Sequence, residues 1–272
     1  MTVGATGMNE IEILSPVQEV AFPDEWHQLT GADHFWFQWR IAAALRLIRA
    51  AGIATDVPLR ALEVGGGTGI LRDQIEGHTS WVVDLTDLSV ETLRLSRPGR
   101  GRRLYYDVRE EQASLVGTYD VVILFDVLEH IEASRPFVGS VLRHLRPGGY
   151  LIVNVPALQS LFSTYDEAAG HVRGYDKRTL ASEFEGSGLA VLDLRYWGLC
   201  LVPLLALRKL ILRKHRQAAT TIRTGFRPPG ALAHALLRGF MRMEVALWSR
   251  PPIGTSLLLV GRNGVAAEGG GR

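Results

Sequence analysis

Cysteine is almost missing from this sequence: of 272 residues only Cys200 is one, and it lies in an apolar run. A single thiol excludes a disulfide framework within the chain and a cysteine-based zinc site, so the cytoplasm is the expected compartment. The sequence shows no basic region followed by an apolar core at its start, so no signal peptide is expected. The longest uninterrupted apolar run, 197–207, is too short for a bilayer, which needs ~20 residues.

Acidic residues are nearly missing between positions 201 and 250. That stretch holds ten basic residues and one acid, Glu244, for a local net charge of +9, whereas the whole chain carries +2. A basic patch of this kind suits phosphate or membrane headgroups, and a solvated helical face is the alternative. The hydrophobic content of 47% and the charged content of 21% are those of a globular protein.

A glycine turn follows the first clear strand. Residues 59–64 have the apolar pattern of a buried strand, and four glycines and one threonine separate them from Ile70. Glycine lets the backbone turn sharply and lets a ligand approach closely. Ile70 stands where a dinucleotide fingerprint needs its third glycine, and no Lys-Ser/Thr pair forms a phosphate loop. The turn therefore predicts a ligand other than a pyrophosphate.

Acids follow the next two predicted strands. Asp87 comes after the strand at 81–85, and Asp107 comes after the strand at 103–106. An ionised carboxylate at a strand end can accept two hydrogen bonds from neighbouring hydroxyls. Asp84 is the alternative acid on the first of these strands, because strand ends are hard to place from sequence. A helix N-cap by Asp87 or Ser89, and a surface turn at Asp107, are the structural alternatives.

The fourth strand, 119–125, is an unbroken apolar run, which indicates a strand buried on both faces of a parallel sheet. Strands at 150–156, 191–197 and 254–261 complete the pattern, with helix-length segments between most of them, including helices over 142–145 and 180–188. This alternation predicts an α/β fold with a doubly wound sheet.

Two motifs in this pattern resemble class I S-adenosylmethionine (SAM)-dependent methyltransferases. The first is Glu63-Val-Gly-Gly-Gly-Thr-Gly69, and the second is Asp126-Val-Leu-Glu-His-Ile131, which is frequent in small-molecule enzymes such as the ubiquinone-biosynthesis O-methyltransferases. The resemblance extends over 34–194. It implies SAM as cofactor and a Rossmann-like, mostly parallel, seven-stranded sheet with a helical insertion before the last strand.

The resemblance also implies how the cofactor is held. Asp87 would grip the ribose, and Asp107 and the backbone of Val108 would meet the adenine. Arg40, on a helix predicted over 34–53 with an aromatic start, would hold the methionine carboxylate in a two-point hydrogen bond. An aromatic clamp onto the core is the alternative for that start. The implied cofactor contacts are Arg40, Glu63, Gly65, Gly67, Gly69, Asp87, Leu88, Asp107, Val108, Phe125 and Asp126.

Candidate bases follow the fourth and fifth strands. His171 lies in Gly170-His-Val-Arg-Gly-Tyr175, which is similar to a subgroup pattern Gly-His-x-Arg-Arg-Tyr; Gly174 replaces the second arginine and puts its role in doubt. His171, oriented by Asp166 or Tyr175, is one candidate to take a proton from the acceptor. A packed loop is its alternative interpretation.

His130 is the second candidate base, with a structural histidine as its alternative. The predicted catalytic set is therefore His171, His130 and Asp166. The sequence demands no metal, although Asp126, Glu129 and His130 have side chains that could bind a divalent ion.

Five segments are predicted. They are an N-terminal arm and helix over the cofactor cleft (1–55, loose up to about residue 20), a SAM-binding core (56–196), a basic helical insertion (197–250), the last core strand (251–264) and a disordered tail (265–272). The insertion is interpreted as a lid, a dimer face or a membrane-surface element.

The predicted function is methyl transfer from SAM, at an oxygen of a small or lipid-like molecule. A homodimer and peripheral membrane contact through 197–250 are further expectations. The alternatives are a catalytically silent SAM-fold subunit that binds a partner or membrane, and N- or C-methylation, RNA included. Nucleic acid is disfavoured because Phe125-Asp-Val-Leu stands where amino-methylating DNA enzymes carry Asn-Pro-Pro-Tyr.

Overall fold

The structure is a computed structural model that describes residues 10–18, 33–212 and 230–264. Within these residues one eight-stranded sheet is flanked by helices. The strands are β1 (Ile11–Ile13), β2 (Arg60–Val64), β3 (Val82–Asp87), β4 (Arg103–Tyr105), β5 (Tyr119–Phe125), β6 (Leu145–Pro156), β7 (Leu189–Trp197) and β8 (Ser256–Asn263). The helices are α1 (Phe35–Ala50), α2 (Ile70–His78), α3 (Val90–Leu95), α4 (Ser134–Arg143), α5 (Thr164–Ala168), α6 (Lys177–Ser182), α7 (Val202–Leu212) and α8 (Ala231–Leu247).

The strand order confirms the doubly wound, mostly parallel sheet. It runs β1-β4-β3-β2-β5-β6-β8-β7, and only β8 is antiparallel to its neighbours. The chain moves outward in one direction from β2 and in the other from β5, so the order reverses between these two strands. Ligands of open α/β sheets bind at such a reversal, outside the carboxyl ends of the strands.

The sheet is buried on both faces, as the apolar run in β5 predicts. Val122 and Leu124 belong to one hydrophobic cluster, whereas Val121 and Ile123 belong to the cluster on the opposite face. α1 packs into the second cluster through its apolar residues, and Gly52 follows its end with a left-handed φ of 72°. Burial on both faces fixes the strand register, so that the strand ends carrying the site are held in place.

The prediction of a loose arm over residues 1–20 is wrong at Ile11–Ile13. These residues form β1, which pairs in parallel with β4 and raises the strand number from the predicted seven to eight. The backbone N–H of Leu14 extends the pairing by donating to the Tyr105 carbonyl at 2.9 Å. Three residues are too few for a periodic pattern, so the sheet edge rather than the local sequence specifies this strand.

Two helix boundaries also differ from prediction. The helix expected at 142–145 covers Ser134–Arg143 instead, and the turn at 146–149 lies inside the long strand β6, where Gly148 has a φ of 77°. The helix expected at 180–188 is Lys177–Ser182, because Asp176 and Thr179 form a capping box that starts it earlier. The described part of the insertion at 197–250, predicted to be helical, contains α7 and α8. Predictions for 213–229 and 265–272 lie outside the described residues.

Candidate functional site

The glycine turn between β2 and α2 has a backbone that other residues adopt only with strain. Gly65, Gly67 and Gly69 have φ values of 67°, 56° and 74°. A Cβ atom on Gly65 would lie 2.8 Å from a methyl group of Val127, and one on Gly66 would lie 2.3 Å from Leu85. The turn therefore packs directly against the residues that follow β5, at the reversal of the strand order.

Asp87, not Asp84, lies at this turn. Asp87 ends β3, and its carboxylate accepts the N–H of Gly67 and the N–H of Ser89, each at 2.9 Å. Asp84 is buried within the strand, where it accepts hydrogen bonds from Arg102 at 2.7 Å and from the Tyr119 hydroxyl at 2.8 Å.

Of the two residues offered as a helix N-cap, the structure confirms Ser89 and not Asp87. Ser89 caps α3, and its side chain accepts the N–H of Thr92. Leu88 packs on a small cluster of Leu85, Leu93 and Tyr105. Asp87 is therefore the acid that could grip a ribose at this strand end.

Asp107 follows β4 and is kept ionised by its neighbour. The Arg109 guanidinium pairs with its carboxylate at 2.5 Å. Burial raises the pKa of Asp107, but the hydrogen bonds and charge of Arg109 outweigh burial and hold the pKa below its ordinary value. The backbone N–H of Asp107 donates to Ser15 Oγ at 2.9 Å, and Ser15 lies two residues after the end of β1. Val108 is buried and begins a short 3-10 helix.

A polar network joins the ends of β5, β6 and β7. Asp126, in the left-handed region with a φ of 57°, accepts Arg40 at 2.6 Å and the Asn154 amide at 2.6 Å. The Asn154 oxygen accepts the indole N–H of Trp197 at 2.8 Å. Asn154 and Trp197 were not predicted to belong to the site. A polar asparagine within the apolar run of β6, where Asn154 is fully buried, indicates a hydrogen-bonding role. The network holds the Asp126 carboxylate in the position where it pairs with Arg40.

The aromatic start of α1 packs into the core and also surrounds Arg40. Trp39 is buried in the core, as the clamp interpretation requires. The guanidinium carbon of Arg40 lies 4.9 Å from the ring centre of Trp36, 5.0 Å from that of Phe37 and 5.5 Å from that of Phe125. Cation–π contacts of this kind orient a guanidinium without using its hydrogen bonds.

Glu63 lies beneath the glycine turn. It is buried, and burial raises its pKa to about 8, although the charges of Arg40 and Arg72 oppose the rise. One carboxylate oxygen, Oε2, has no hydrogen-bond partner among the described residues. A Cβ on Gly66 would lie 2.6 Å from this carboxyl group. An unsatisfied buried acceptor beside a turn without side chains fits a ligand that brings its own donors.

The two candidate histidines meet at the other side of the same edge. The rings of His130 and His171 pack edge to face with their centres 4.9 Å apart. Asp166 lies 3.5 Å from His171, measured from Oδ1 to Nδ1, and the Gly170 carbonyl lies 3.1 Å from His130 Nδ1. Tyr175 does not take the orienting role offered to it, because its hydroxyl donates to the Leu128 carbonyl. Of the two groups predicted to orient His171, Asp166 is the one whose side chain faces it, at ion-pair distance.

Glu129 completes this cluster. Its carboxylate is buried, and burial together with the charge of Asp126 raises its pKa well above the ordinary value. Glu129, His130 and His171 each place one possible ligand atom within 4.8 Å of the others, so these three could hold a divalent cation. Among the three residues that left a divalent ion possible in the sequence, Asp126 does not join this cluster, because its carboxylate accepts Arg40 and Asn154.

The protonation of His130 follows from its surroundings. Burial, and then the neighbouring His171, lower the pKa of His130 below its ordinary value. The imidazole is therefore neutral at pH 7 and can accept a proton or ligate a cation.

The loop that carries His171 is tied to the segment after β5. Val172 donates its N–H to the Glu129 carbonyl at 2.7 Å, and Arg173 donates to the Glu132 carbonyl at 2.7 Å. Gly174 packs closely on the chain: an added Cβ would lie 3.3 Å from the Gln159 backbone. The glycine that departs from the subgroup pattern thus allows close packing of the loop in this chain.

The sequence of this chain is similar to that of known proteins. A family model described as a methyltransferase domain matches residues 35–194. The ubiquinone biosynthesis O-methyltransferase of Burkholderia multivorans is 30% identical over 144 residues, which are 48% of this chain and 62% of that protein. The chain thus covers less than two thirds of this relative's length.

Solved structures agree on the fold. A SAM-dependent methyltransferase from Mesorhizobium loti has a TM-score of 0.53 at 17% identity and covers 83% of this chain and 100% of its own. Phosphoethanolamine N-methyltransferase 2 from Haemonchus contortus, in complex with phosphomonomethylethanolamine and S-adenosylhomocysteine, has a TM-score of 0.52 at 15% identity, over 83% of this chain and 52% of its own. At these identities the likeness concerns the fold alone.

Proposed function

Because this chain belongs to the methyltransferase domain family and is a class I SAM-dependent methyltransferase, we propose that it methylates an oxygen of a small or lipid-like acceptor. The observation that carries the proposal is the pairing of His130 with His171 beside Asp166 at the carboxyl edge of the sheet. A hydroxyl must lose its proton as its oxygen is methylated, and a neutral imidazole accepts that proton at pH 7. The similarity to ubiquinone biosynthesis O-methyltransferases supports oxygen as the acceptor atom.

We assign the cofactor contacts as the resemblance implied. When bound, SAM supplies an electrophilic methyl group. Asp87 would accept hydrogen bonds from the ribose, and Asp107, kept ionised by Arg109, would accept one from the adenine amine. Arg40 and the unsatisfied Oε2 of Glu63 would hold the charged amino-acid end. These contacts fix the orientation of the methyl group, and alignment alone contributes ~7 to 11 kcal/mol to catalysis in favourable cases.

The acceptor would be positioned by the other half of the site. Asp166 would orient His171, which it approaches to 3.5 Å, and the neutral His130 lies against the His171 ring. The proton of the acceptor hydroxyl would pass to one of the two imidazoles as the oxygen takes the methyl group, and the C–S bond to that methyl group would break to leave S-adenosylhomocysteine. The loop hydrogen bonds from Val172 and Arg173 keep this pair next to Glu129.

The first test is calorimetric titration of SAM and S-adenosylhomocysteine into the wild type, Asp87→Ala and Asp56→Ala. Asp56 is an exposed aspartate outside the site and serves as the matched control. We expect binding in the wild type and the control and a loss of at least about 100-fold in Asp87→Ala, because a charged acceptor of two hydroxyl hydrogen bonds is removed. Unchanged binding in Asp87→Ala would reject its assigned role.

The second test screens hydroxylated acceptors by mass for the gain of one methylene. His171→Ala and His130→Ala should lower kcat by about 100-fold or more in at least one case, whereas His78→Ala, at the end of α2, should not. Activity that is lost with EDTA and returns with Mg²⁺ or Zn²⁺ would assign Glu129 and the two histidines to a cation instead. SAM binding without any acceptor, and with no effect of either histidine, would favour the silent-subunit alternative.

A further inference from the structure

The helix α8 turns an apolar face outward. Eight of its exposed residues recur at the three- and four-residue spacing of one helix face, and these eight are apolar or glycine; Ala233 and Arg242 are exposed outside this face. Leu232, Leu236 and Phe240 are exposed to 77%, 56% and 47% of their surface. We name this surface the α8 stripe; it consists of Leu232, Ala235, Leu236, Gly239, Phe240, Met243, Ala246 and Leu247. Contiguous exposed apolar surface of this kind marks an interaction site.

The inward face of α8 holds the helix against the functional edge. Glu244 is buried and accepts the N–H groups of Gly198 and Cys200 at 2.7 and 3.0 Å, directly after β7. The ring of His234 lies 6.1 Å from that of Phe35, and Arg46 donates to the Val245 and Trp248 carbonyls. α8 therefore runs parallel to α1, and its first half lies beside the end of α1 that carries Arg40.

The charge next to the stripe selects its partner. Arg242 is exposed at the border of the stripe, and Arg238 lies one turn before it. The only acid between 201 and 250, Glu244, is buried on the opposite face, so no acidic side chain of α8 offsets the arginines. In a twofold contact between copies of this chain the same face would meet itself, and the arginines would be brought towards one another. An anionic lipid surface offers both the apolar layer and the opposite charge.

We propose that the α8 stripe lies in the surface of a membrane containing anionic phospholipid, with Arg238 and Arg242 at the headgroups. Leu204 and Leu207 of α7, a helix of the same insertion, are also exposed, each to 53% of their surface. No helix among the described residues is long and apolar enough to span a membrane. The stripe accordingly binds in the plane of the surface, and the site beside Arg40 is held next to the lipid.

The test is co-sedimentation of the full chain with vesicles of phosphatidylcholine alone or mixed equally with phosphatidylglycerol. We expect the wild type to bind the mixed vesicles and to dissociate as salt is raised. Leu236→Glu combined with Phe240→Glu should weaken binding by at least about tenfold, because two charges would enter the apolar layer. Arg238→Gln combined with Arg242→Gln should weaken binding to the mixed vesicles only.

The matched control combines Leu95→Glu with Val191→Glu, at sites exposed to 63% and 40% on α3 and β7. It introduces the same two charges on exposed apolar residues and should bind as the wild type does. Calorimetric SAM binding by each variant shows that the fold is retained and is read independently of vesicle binding and of methyl transfer.

Three results would overturn the proposal. In the first, the wild-type chain stays in the supernatant with the mixed vesicles. In the second, the control and the stripe variants lose vesicle binding equally. In the third, the chain binds no vesicles and light scattering shows a dimer that Leu236→Glu combined with Phe240→Glu breaks. The last result would assign the stripe to a second copy.

Discussion

The cofactor half and the acceptor half of the site are built in different ways. The cofactor half consists of residues that stand directly at strand ends: the glycine turn after β2, Asp87 at the end of β3 and Asp107 after β4. The acceptor half joins residues far apart in the chain, His130 after β5 and His171 in the loop after β6, through ring contact and loop hydrogen bonds. A strand fixes the first half through its register, whereas the second half depends on how a loop packs. Changes at strand ends should therefore affect binding and folding, and changes in the loop should affect turnover.

The largest expected effect is in the cofactor half. Gly65→Val places a β-branched residue at a φ of 67° and its Cβ 2.8 Å from Val127. We expect SAM affinity to fall by at least about 100-fold and stability by about 1 to 3 kcal/mol, since the backbone must be strained or the turn must move. Calorimetry with SAM and chemical denaturation measure the two effects.

The control for this change is Gly77→Ala, where an added Cβ meets nothing within 4 Å inside α2. It should leave SAM binding unchanged and raise stability by up to about 1 kcal/mol, because alanine favours a helix. Equal losses in both variants would mean that the turn has no special role.

An intermediate effect is expected in the acceptor half. Asp166→Asn removes the charge that faces His171 at 3.5 Å but keeps the size of the side chain. We expect kcat to fall by about tenfold or more with SAM affinity unchanged, because an orienting carboxylate acts on the base and not on the cofactor. Steady-state kinetics with an accepted hydroxyl compound, alongside SAM titration, separate the two halves.

Ser163→Ala provides the comparison for Asp166. The Ser163 hydroxyl donates to Asp166 Oδ2 at 2.8 Å, on the side away from the contact with His171 Nδ1, which involves Oδ1. Its loss should lower kcat less than Asp166→Asn does. A fall in SAM affinity equal to the fall in kcat would contradict the division into two halves.

The same division explains what could be predicted from the sequence. Asp87 could be named because the resemblance implies an acid after the second strand and Asp87 directly follows that predicted strand, with Asp84 as the alternative. β1 was missed because three residues show no periodicity and pair only with a distant strand edge. Asp166 and Tyr175 stayed alternatives, since a loop contact depends on folding that local spacing does not encode. The insertion kept three interpretations because its charge was visible in the sequence, but the direction of the α8 stripe was not.

The smallest expected effect tests whether the ionisation of Asp107 is built into the cofactor half. Arg109→Gln removes the partner of this carboxylate, whose pKa is lowered in the folded protein because the charge and hydrogen bonds of Arg109 outweigh burial. A lowered folded-state pKa gives stability that is present above the pKa of the unfolded chain and is lost as pH falls through the folded-state value. We expect Arg109→Gln to cost less than about 1 kcal/mol at pH 7, since Arg109 is largely exposed, and to cost nothing in acid where Asp107 is protonated. Arg135→Gln, which breaks a more exposed pair with Glu185 at 4.0 Å, should show no such pH dependence. Thermal unfolding of the wild type, Arg109→Gln and Arg135→Gln at pH 7 and in acid measures this difference. If Arg109→Gln loses the same stability at both pH values, the arginine contributes packing and not charge.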